Sequence, residues 1–375
     1  MDQNHAVPDY RRIVVKLGTS TMTGGTARLS PARLVDLVGQ MAAVVAQGRQ
    51  LLVVSSGAIA AGRERLNYPQ LPKDIPVKQM LAAVGQPRLM ALYEQLFGLY
   101  GLTVAQVLLT RADLSDRRRY LNSRNTLSAL LGQGVIPIIN ENDTVATEEI
   151  RVGDNDNLSA LVCNLIEADL LLLLTDQRGL LSADPRRDPS ASLIQEVTQA
   201  VIPDELWRAA GGSAGGLGTG GMVTKLQAAD LARRSGATVV IAQGSLPGVI
   251  TRLVNGEALG TRFSPLATAL DWRKRFLLAG SHAPGALAVD EGAVRALRNG
   301  GSLLPVGVCS LQGRFERGDV VSVVDAAGSE IARGLVNYAS PDLERILGVQ
   351  SDQIEAILGF AYGDEVIHRD HLVLL

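Results

Sequence analysis

Short apolar segments alternate with helical patterns over about the first 245 residues, and this alternation restricts the fold more than any other feature. A short segment that is apolar throughout is typical of a strand buried on both faces of a parallel sheet. The sequence therefore predicts an α/β fold, with an open, mostly parallel sheet sandwiched by helices. The predicted strands are Arg12–Leu17, Leu51–Ser55, Leu102–Leu108, Val135–Ile139, Asp169–Thr175 and Ala237–Ala242, and the predicted helices are 31–46, 76–98, 122–132, 204–210 and 222–234.

The pattern changes near residue 265, where the helical segments give way to a charged connector. Short strand-like pieces separated by glycine follow it, which is typical of a small β-rich domain. We therefore predict a catalytic domain at 1–265, a linker at 266–278 and a separate β-rich domain at 279–375. The predicted strands of the last domain are 286–289, 302–305, 320–324 and 365–368.

Histidine is absent from residues 6–281, and the only four histidines are His5, His282, His368 and His371. This gap excludes a Ser-His-Asp triad, a Cys-His pair and a histidine-bound metal from the predicted catalytic domain. The two cysteines, Cys163 and Cys309, are too few for a disulfide framework or a four-thiolate zinc site. Chemistry in this domain would rest on lysines, carboxylates, backbone amides and a cation that enters with the substrate.

The longest run of leucines, Leu170 to Leu174, is far shorter than the ~20 residues that span a bilayer. The amino terminus lacks the pattern of a signal peptide, so we expect a cytoplasmic protein. From Leu277 to Leu375, seven arginines and no lysine stand against thirteen acidic residues. This acidic tail argues against an RNA-binding surface, because phosphate contacts supply most of the non-specific affinity for nucleic acids.

Two of the predicted strands end in residues that suit a phosphate site. Lys16 lies near the end of the first strand and is followed by Gly18, and Ser55-Ser56-Gly57 ends the second. Ligands of open α/β sheets bind at the carboxyl ends of the strands, so both segments would face one crevice. Each also has an ordinary explanation, because a lysine can extend to the sheet edge and serine often caps a helix.

Two polar loops lie close together in the sequence, at 140–144 and 153–158. Their carboxylates suit an α-ammonium group, and their amide N–H groups suit a carboxylate, so the pair favours a zwitterionic ligand. The alternative is a pair of Asx-rich turns. Asp154 and Asp156 have the spacing that begins an EF-hand loop. The later glycine and glutamate of such a loop are missing, so we reject a calcium site here.

A glycine-rich loop at 211–221 precedes a helical pattern whose first turn contains Lys225. It contains a literal GxGxxG, but the segment before it is helical, so the dinucleotide fingerprint does not apply. Backbone amides, the helix dipole and an ammonium group would nevertheless meet near one anion. Thr175-Asp176 follows another strand and adds residues to the same crevice.

These motifs together resemble those of the amino-acid kinase family, and within it the branch that phosphorylates glutamate. The resemblance runs over the whole chain and is carried by Ser55–Gly62, Ile139–Asp143, Val152–Ala160 and Gly218–Lys225. The C-terminal part resembles a PUA domain, which bacterial members of this branch often carry. We expect that domain to be structural or regulatory.

The resemblance implies a role for individual residues. Lys16 and Lys225 would neutralise charge on the transferring phosphoryl group, and Asp156 would hold both lysines. Substrate-binding positions are matched by Ser56, Asp143 and Asn155, with Asn140 near the amino-acid pocket. Nucleotide-binding positions are matched by Lys16, Thr175, Asp176, Thr219, Gly220, Gly221, Met222, Val223, Thr224 and Lys225.

The implied reaction is ATP-dependent phosphorylation of the side-chain carboxylate of L-glutamate, the first step of proline biosynthesis. ATP with Mg²⁺ would be the cofactor, with no metal ligand assigned on the chain. Proline would act as a feedback inhibitor, and a homodimer or homotetramer is expected. The alternative is a sister kinase that acts on aspartate or N-acetylglutamate, and the polar loops argue against UMP.

Overall fold

The computed structural model describes residues 9–72, 74–146, 155–185, 188–211, 221–266 and 283–375. The chain divides into two compact units. The first comprises Met1–Leu114 and Ser123–Ala269, and the second comprises Ser115–Asn122 and Leu270–Leu375. Except for residue 266, the predicted linker at 266–278 lies outside the described residues. No described helix is long and apolar enough to cross a membrane.

An eight-stranded sheet forms the centre of the first unit, with the strand order β3-β4-β2-β1-β5-β7-β8-β6. All its pairings are parallel except that between β7 and β8, which confirms the predicted α/β class. The strands are β1 Arg12–Leu17, β2 Gln50–Ser55, β3 Val104–Leu109, β4 Ile136–Glu141, β5 Leu170–Thr175, β6 Glu196–Val197, β7 Thr238–Gln243 and β8 Thr261–Phe263.

Helices connect these strands, and the strands β4, β2, β1, β5 and β7 are almost entirely buried. Every residue of β4 and β5 is buried, so both faces of the sheet are covered there, as the uniformly apolar segments predict. The helices of the first unit are α1 Thr19–Thr23, α2 Pro31–Val45, α3 Ala58–Arg65, α4 Ile75–Gly98, α5 Arg111–Ser115, α6 Arg117–Gly132, α7 Asn155–Leu165, α8 Asp204–Ala209, α9 Met222–Arg234 and α10 Val249–Val254. Helix α6 also supplies residues 117–122 to the second unit.

Helices α3 and α4 cross with their backbones in contact. A Cβ atom at Gly85 would overlap the Ala58 carbonyl oxygen, and a Cβ atom at Gly62 would overlap the Leu81 carbonyl oxygen. Only glycine permits such an approach, so these two positions set the separation of the helices. The contact holds α4 against the helix that begins directly after the Ser56-Gly57 turn.

Within the second unit, a five-stranded sheet has the order β10-β9-β11-β12-β13. A core of seventeen buried residues lies in this unit and includes Leu287, Val323 and Tyr338. The strands are β9 Gly285–Val289, β10 Val308–Gly313, β11 Val320–Val324, β12 Glu330–Leu335 and β13 Leu372–Leu374, and the helices are α11 Glu291–Arg298, α12 Ser340–Arg345 and α13 Ile354–Leu358.

Two of the strands predicted for this unit, 302–305 and 365–368, are wrong. Each contributes one residue to a single bridge between Leu303 and Ile367, and neither extends into a ladder. Pro305 instead begins a short 3-10 turn, because its nitrogen has no hydrogen to donate to a neighbouring strand. In the first unit α6 begins at Arg117, five residues earlier than predicted, and α3 and α7 were not predicted as helices.

Candidate active site

The carboxyl ends of four adjacent parallel strands meet at one edge of the large sheet. Strand β1 lies between β2 and β5, and β4 lies on the far side of β2. Lys16 is the fifth residue of β1, Ser55 ends β2 and Asn140 is next to the end of β4. Thr175 ends β5. The polar side chains expected in one crevice are therefore brought to the same edge.

A buried carboxylate lies between two lysines at this edge. The Asp156 Oδ1 atom is 2.6 Å from Lys16 Nζ, and Asp156 Oδ2 is 3.1 Å from Lys225 Nζ. The side chains of Lys16, Asp156 and Lys225 are only 6%, 4% and 12% exposed. Thr224 Oγ1 donates a further hydrogen bond of 2.7 Å to Asp156 Oδ2. This arrangement, called the Lys-Asp-Lys triad below, carries one net positive charge in a poorly hydrated place.

Two opposing effects act on the Asp156 carboxyl. Burial raises its pKa, whereas the Lys16 and Lys225 ammonium groups and the hydrogen bonds from Lys16 and Thr224 lower it. The favourable charges prevail, and the pKa of Asp156 falls from 3.8 to about 2. Asp156 therefore stays ionised at any physiological pH and keeps both ammonium groups in place.

The two triad residues that are far from Lys16 in the sequence, Asp156 and Lys225, lie at the starts of two helices. Asp156 is the second residue of α7, and Lys225 is the fourth residue of α9. Gly221, just before α9, has φ +82°, a conformation that favours glycine, and its carbonyl oxygen lies 2.9 Å from Thr224 Oγ1. The positive dipole ends of both helices add to the field of the lysines.

A cavity of about 840 Å³ opens onto the triad. All six predicted catalytic and substrate-binding residues line it. Of the residues predicted to bind nucleotide, Gly221 and Thr224 also line the cavity, and Met222 and buried Val223 lie in the first turn of α9. Thr175 and Asp176 lie at the end of β5 outside the lining, joined by a 3.0 Å hydrogen bond. Thr219 and Gly220 lie outside the described residues, as do Gly153 and Asp154.

Asn155 joins the ends of β2 and β4 across the cavity wall. The two hydrogens of its Nδ2 atom are shared among three acceptors: Ser56 Oγ at 3.0 Å, the Ser55 carbonyl oxygen at 3.2 Å and Asn140 Oδ1 at 3.0 Å. Residues 155–158 of the predicted polar loop are thus the start of a helix in the structure. The side-chain amide of Asn155 is held by hydrogen bonds to residues from two strand ends.

Asp143, in the turn after β4, has no counterion within the described part of the chain. Burial raises its pKa from 3.8 to about 6. Among the described residues, none donates a hydrogen bond to it or forms an ion pair with it. A desolvated carboxylate at a cavity wall has a strong preference for a cationic ligand, and the α-ammonium group of an amino acid has that charge.

Replacing Asp143 by asparagine is expected to stabilise the ligand-free protein at pH 8. The raised pKa means that folding costs more once this carboxyl is ionised, so the wild type loses stability as the pH rises from about 4 to about 6. The Asp143→Asn variant lacks this loss. Urea unfolding of both proteins at pH 4 and at pH 8 would measure the difference.

The advantage of the variant should be larger at pH 8 than at pH 4. Asp325→Asn, in a turn of the second unit, serves as the control for a general effect of one lost carboxylate. A constant difference between Asp143→Asn and wild type across this pH range would contradict the assigned burial.

Sequence reasoning missed Arg63, Tyr68 and Gln86. Arg63 and Tyr68 line the cavity, and no described residue forms an ion pair with the Arg63 side chain. Residues 59, 60 and 63 of α3 share the face that lines the cavity, so a helical pattern after Ser56-Gly57 could have indicated Arg63. No local signal could have indicated Gln86, which reaches the site only through another side chain.

Within the described ranges, no three His, Cys, Asp or Glu side chains converge on a point where they could hold a metal ion. The Asp156 carboxylate, the most central acidic group, is committed to the two lysines and Thr224.

Two family matches cover most of the chain. Residues 11–243 match the amino acid kinase family, and residues 285–358 match the PUA domain. Among curated proteins, the chain is similar to the glutamate 5-kinase of Photobacterium profundum, with 56% identity over 100% of this chain and 99% of that protein.

Other relatives carry the same name. The glutamate 5-kinase of Shewanella amazonensis is 55% identical over 99% of this chain and 98% of its own. That of Aliivibrio fischeri is 57% identical over 97% of this chain and 98% of its own. The similarity thus extends through both units.

Proposed function

Because the chain belongs to the amino acid kinase family, and within it to the glutamate 5-kinases, we propose that it phosphorylates the side-chain carboxylate of L-glutamate with ATP. The product would be L-glutamyl 5-phosphate, for proline biosynthesis. One observation carries the proposal: the Lys-Asp-Lys triad faces a cavity whose wall also holds the carboxylate of Asp143, which has no partner among the described residues.

The acceptor needs no general base in this reaction. The side-chain carboxylate of glutamate is already ionised at pH 7, which agrees with the absence of histidine from residues 6–281. Phosphoryl transfer depends mainly on positioning and on stabilisation of charge. Lys16 and Lys225 would supply that charge close to the transferring group, and Asp156 would prevent the two ammonium groups from moving apart.

The amino end of glutamate would be held on the side of β2 and β4. Asp143 would take the α-ammonium group, which would end the cost of its unpaired burial. Ser56 would donate a hydrogen bond to a carboxylate of the substrate, and Asn155 would hold Ser56 in place through its Nδ2 atom. This arrangement would orient the side-chain carboxylate toward the triad.

The nucleotide would bind on the side of β5 and α9. Thr175 ends β5 and Asp176 follows it, and the segment 219–225 leads into α9, whose first amides would bind phosphate. Mg²⁺ bound to these phosphates would neutralise part of their charge. On the protein, Lys16, Lys225 and the amides of α9 would complete the charge balance.

The alternative is a sister kinase that acts on another acceptor. The candidate acceptors differ in the group that they would present to the Asp143 carboxylate. The nitrogen of N-acetylglutamate is a neutral amide, so it would leave the Asp143 carboxylate unpaired and buried. Aspartate has the ammonium group but is one methylene shorter, so its carboxylate would not reach the triad from the same anchor. L-proline has the ammonium and carboxylate groups without a side-chain carboxylate, and would therefore act as a competitive inhibitor at this anchor.

The family resemblance also supports a homodimer or homotetramer, and a cytoplasmic enzyme, since ATP and free glutamate are cytoplasmic metabolites. The second unit, which matches the PUA domain, would be structural or regulatory. Its acidic composition argues against an RNA partner, and a salt-dependent RNA shift with the full chain would overturn that expectation.

Hydroxylamine trapping of the acyl phosphate tests the proposed reaction. The protein would be incubated with ATP, Mg²⁺ and, in separate reactions, L-glutamate, L-aspartate, N-acetyl-L-glutamate or UMP, and ADP release would report turnover of UMP, which forms no acyl phosphate. We expect hydroxamate from glutamate alone, and less of it when L-proline is added. Turnover with another acceptor would keep the kinase fold and reassign Ser56, Asp143 and Asn155 to that substrate.

A further inference from the structure

A row of side-chain amides runs behind the cavity wall, from α4 to the end of β2. Gln86 Oε1 accepts a 2.8 Å hydrogen bond from Asn140 Nδ2, and Asn140 Oδ1 accepts one of 3.0 Å from Asn155 Nδ2. Asn155 Nδ2 then donates to Ser56 Oγ at 3.0 Å. The row, Gln86–Asn140–Asn155–Ser56, is called the amide relay below. Its last three members line the cavity, and Gln86 does not.

Backbone groups fix the direction of each amide. The Glu141 N–H can only donate, and it bonds to Asn140 Oδ1 at 2.9 Å, so the NH₂ group of Asn140 must face Gln86. The Ser55 carbonyl oxygen can only accept, and it bonds to Asn155 Nδ2 at 3.2 Å. Neither asparagine can therefore flip without loss of a bond to the backbone.

Hydrogen bonds hold only one side of the Asn155 side-chain amide, its NH₂ group. Its Oδ1 atom is buried and has no hydrogen-bond partner among the described residues, whereas its Nδ2 atom has three acceptors. An amide with one side unsatisfied depends on its remaining bonds to hold its rotamer. Asn140 supplies one of these bonds, so a rotation of Asn140 would weaken the hold on Asn155.

The relay also decides what Ser56 can do. Because Ser56 Oγ accepts from Asn155, its hydroxyl hydrogen is left for another acceptor, and none of the described residues takes it. Ser56 lines the cavity, so it can donate this hydrogen to a carboxylate of the substrate. A misplaced Asn155 would free Ser56 to rotate and would end this preference.

Gln86 is the rear anchor of the relay. It is only 9% exposed, and its Nε2 atom donates to Gln106 Oε1 at 3.3 Å. The preceding residue, Gly85, is where α4 touches the backbone of α3, so Gln86 cannot follow Asn140 if that side chain moves. A rigid acceptor behind Asn140 is what holds Asn140 at the angle that Asn155 needs.

From these contacts we propose that Gln86 is a positioning residue for the amino-acid substrate, acting through Asn140 and Asn155 on the hydroxyl group of Ser56. The inference rests on the proposed function, since it assumes an amino-acid acceptor in the cavity. Gln86 has no contact with the cavity or with the triad, so its influence should not extend to the nucleotide.

The test compares Gln86→Met with Gln86→Glu in the full-length protein. Methionine fills a similar volume without an acceptor, whereas glutamate keeps an acceptor oxygen at the same position. We expect Gln86→Met to raise the KM for L-glutamate roughly tenfold, with the KM for ATP unchanged. Gln86→Glu should restore the KM for glutamate toward the wild-type value.

Gln40→Met is the matched control. Gln40 is also a buried glutamine, and its Oε1 accepts a 2.8 Å hydrogen bond from the Ile250 N–H, away from the cavity. It should lower the thermal midpoint as Gln86→Met does but leave both KM values unchanged. If Gln86→Met changes only the midpoint, or raises both KM values equally, the positioning role is wrong.

A double-mutant cycle with Ser56→Ala separates the relay from general damage. If Gln86 acts through Ser56, the KM for glutamate of the double variant should equal that of Ser56→Ala alone, whereas independent effects would multiply. If Gln86→Met does not fold, Gln86→Asn, which retracts the amide by one methylene, takes its place in the cycle.

The wild-type enzyme decides the proposed function separately. The acceptor that it phosphorylates, glutamate or another, is the one whose KM is compared across the variants. If the wild type phosphorylates a different acceptor, the glutamate assignment is wrong. The KM values of wild type and variants for that acceptor would still test the role of Gln86.

Discussion

Replacing Lys225 by alanine is expected to lower kcat by about two to three orders of magnitude, with little change in the KM for glutamate. The Lys225 side chain is only 12% exposed, and its ammonium group lies 3.1 Å from Asp156, where solvent compensates poorly for its loss. A cation in such a place stabilises developing charge far more than an exposed one does. The protein should remain folded, because Lys16 still pairs with Asp156 at 2.6 Å.

The measurement is the steady-state rate of ADP release at saturating substrates, with circular dichroism to verify folding. Arg234→Ala is the matched control, since Arg234 is a cation on the same helix in a surface ion pair with Asp230. Lys225→Arg keeps the charge but not the compact ammonium group, so we expect a partial loss. Near-normal turnover of Lys225→Ala would refute the role given to Lys225.

The second large effect is expected for Asp156→Asn, which should lose activity and stability together. The Asp156 carboxylate is the counterion of two buried lysines, and its removal leaves like charges facing each other. Breaking a buried ion pair on one side costs about 3–5 kcal/mol. The free energy of unfolding, from urea titration at low salt, would show the loss.

The pH dependence of this loss has a defined sign. Because folding lowers the pKa of Asp156 from 3.8 to about 2, its stabilisation is complete above the unfolded value and disappears as the pH falls through the folded value. The difference between wild type and Asp156→Asn should therefore be constant from pH 5 upward. A variant as stable as the wild type would mean that the lysines are not held by this carboxylate.

A second substitution can separate the two losses of Asp156→Asn. Adding Lys16→Met removes one of the uncompensated charges, so the double variant should regain part of the lost stability. Its activity should stay absent, because the triad then lacks both a lysine and the carboxylate. Recovery of activity with stability would indicate that the triad is structural only.

The strands of the large sheet could be predicted from the sequence because their signal is local. Strand β5, Leu170–Thr175, is buried on both faces. Strands of this kind are almost entirely apolar, because side chains on both faces pack against the core. Strand β10, Val308–Gly313, was missed for the opposite reason. Only its first residue is buried, so its sequence carries no apolar run and no clear alternation.

Helix α7 shows how a local pattern can mislead. Residues 153–158 have the composition of Asx turns, yet Asn155 begins a helix. The short polar side chains that favour a turn are the same ones that favour a helix start, and the residues after them decide between the two. Here the next residues of the chain pack into the core, with Leu158 and Val162 buried.

The sequence by itself determined the fold class, the strand ends and the residue types that meet there, because burial and backbone geometry leave their pattern within a few residues. Only the tertiary structure decided which of these residues touch. Lys225 and Asp156 lie 69 residues apart, and no local pattern encodes their 3.1 Å contact. The same holds for Gln86 and Asn140, which are joined because α4 is packed against the sheet. Direct contacts between distant residues depend on the order of the strands and the packing of the helices, and those are properties of the whole chain.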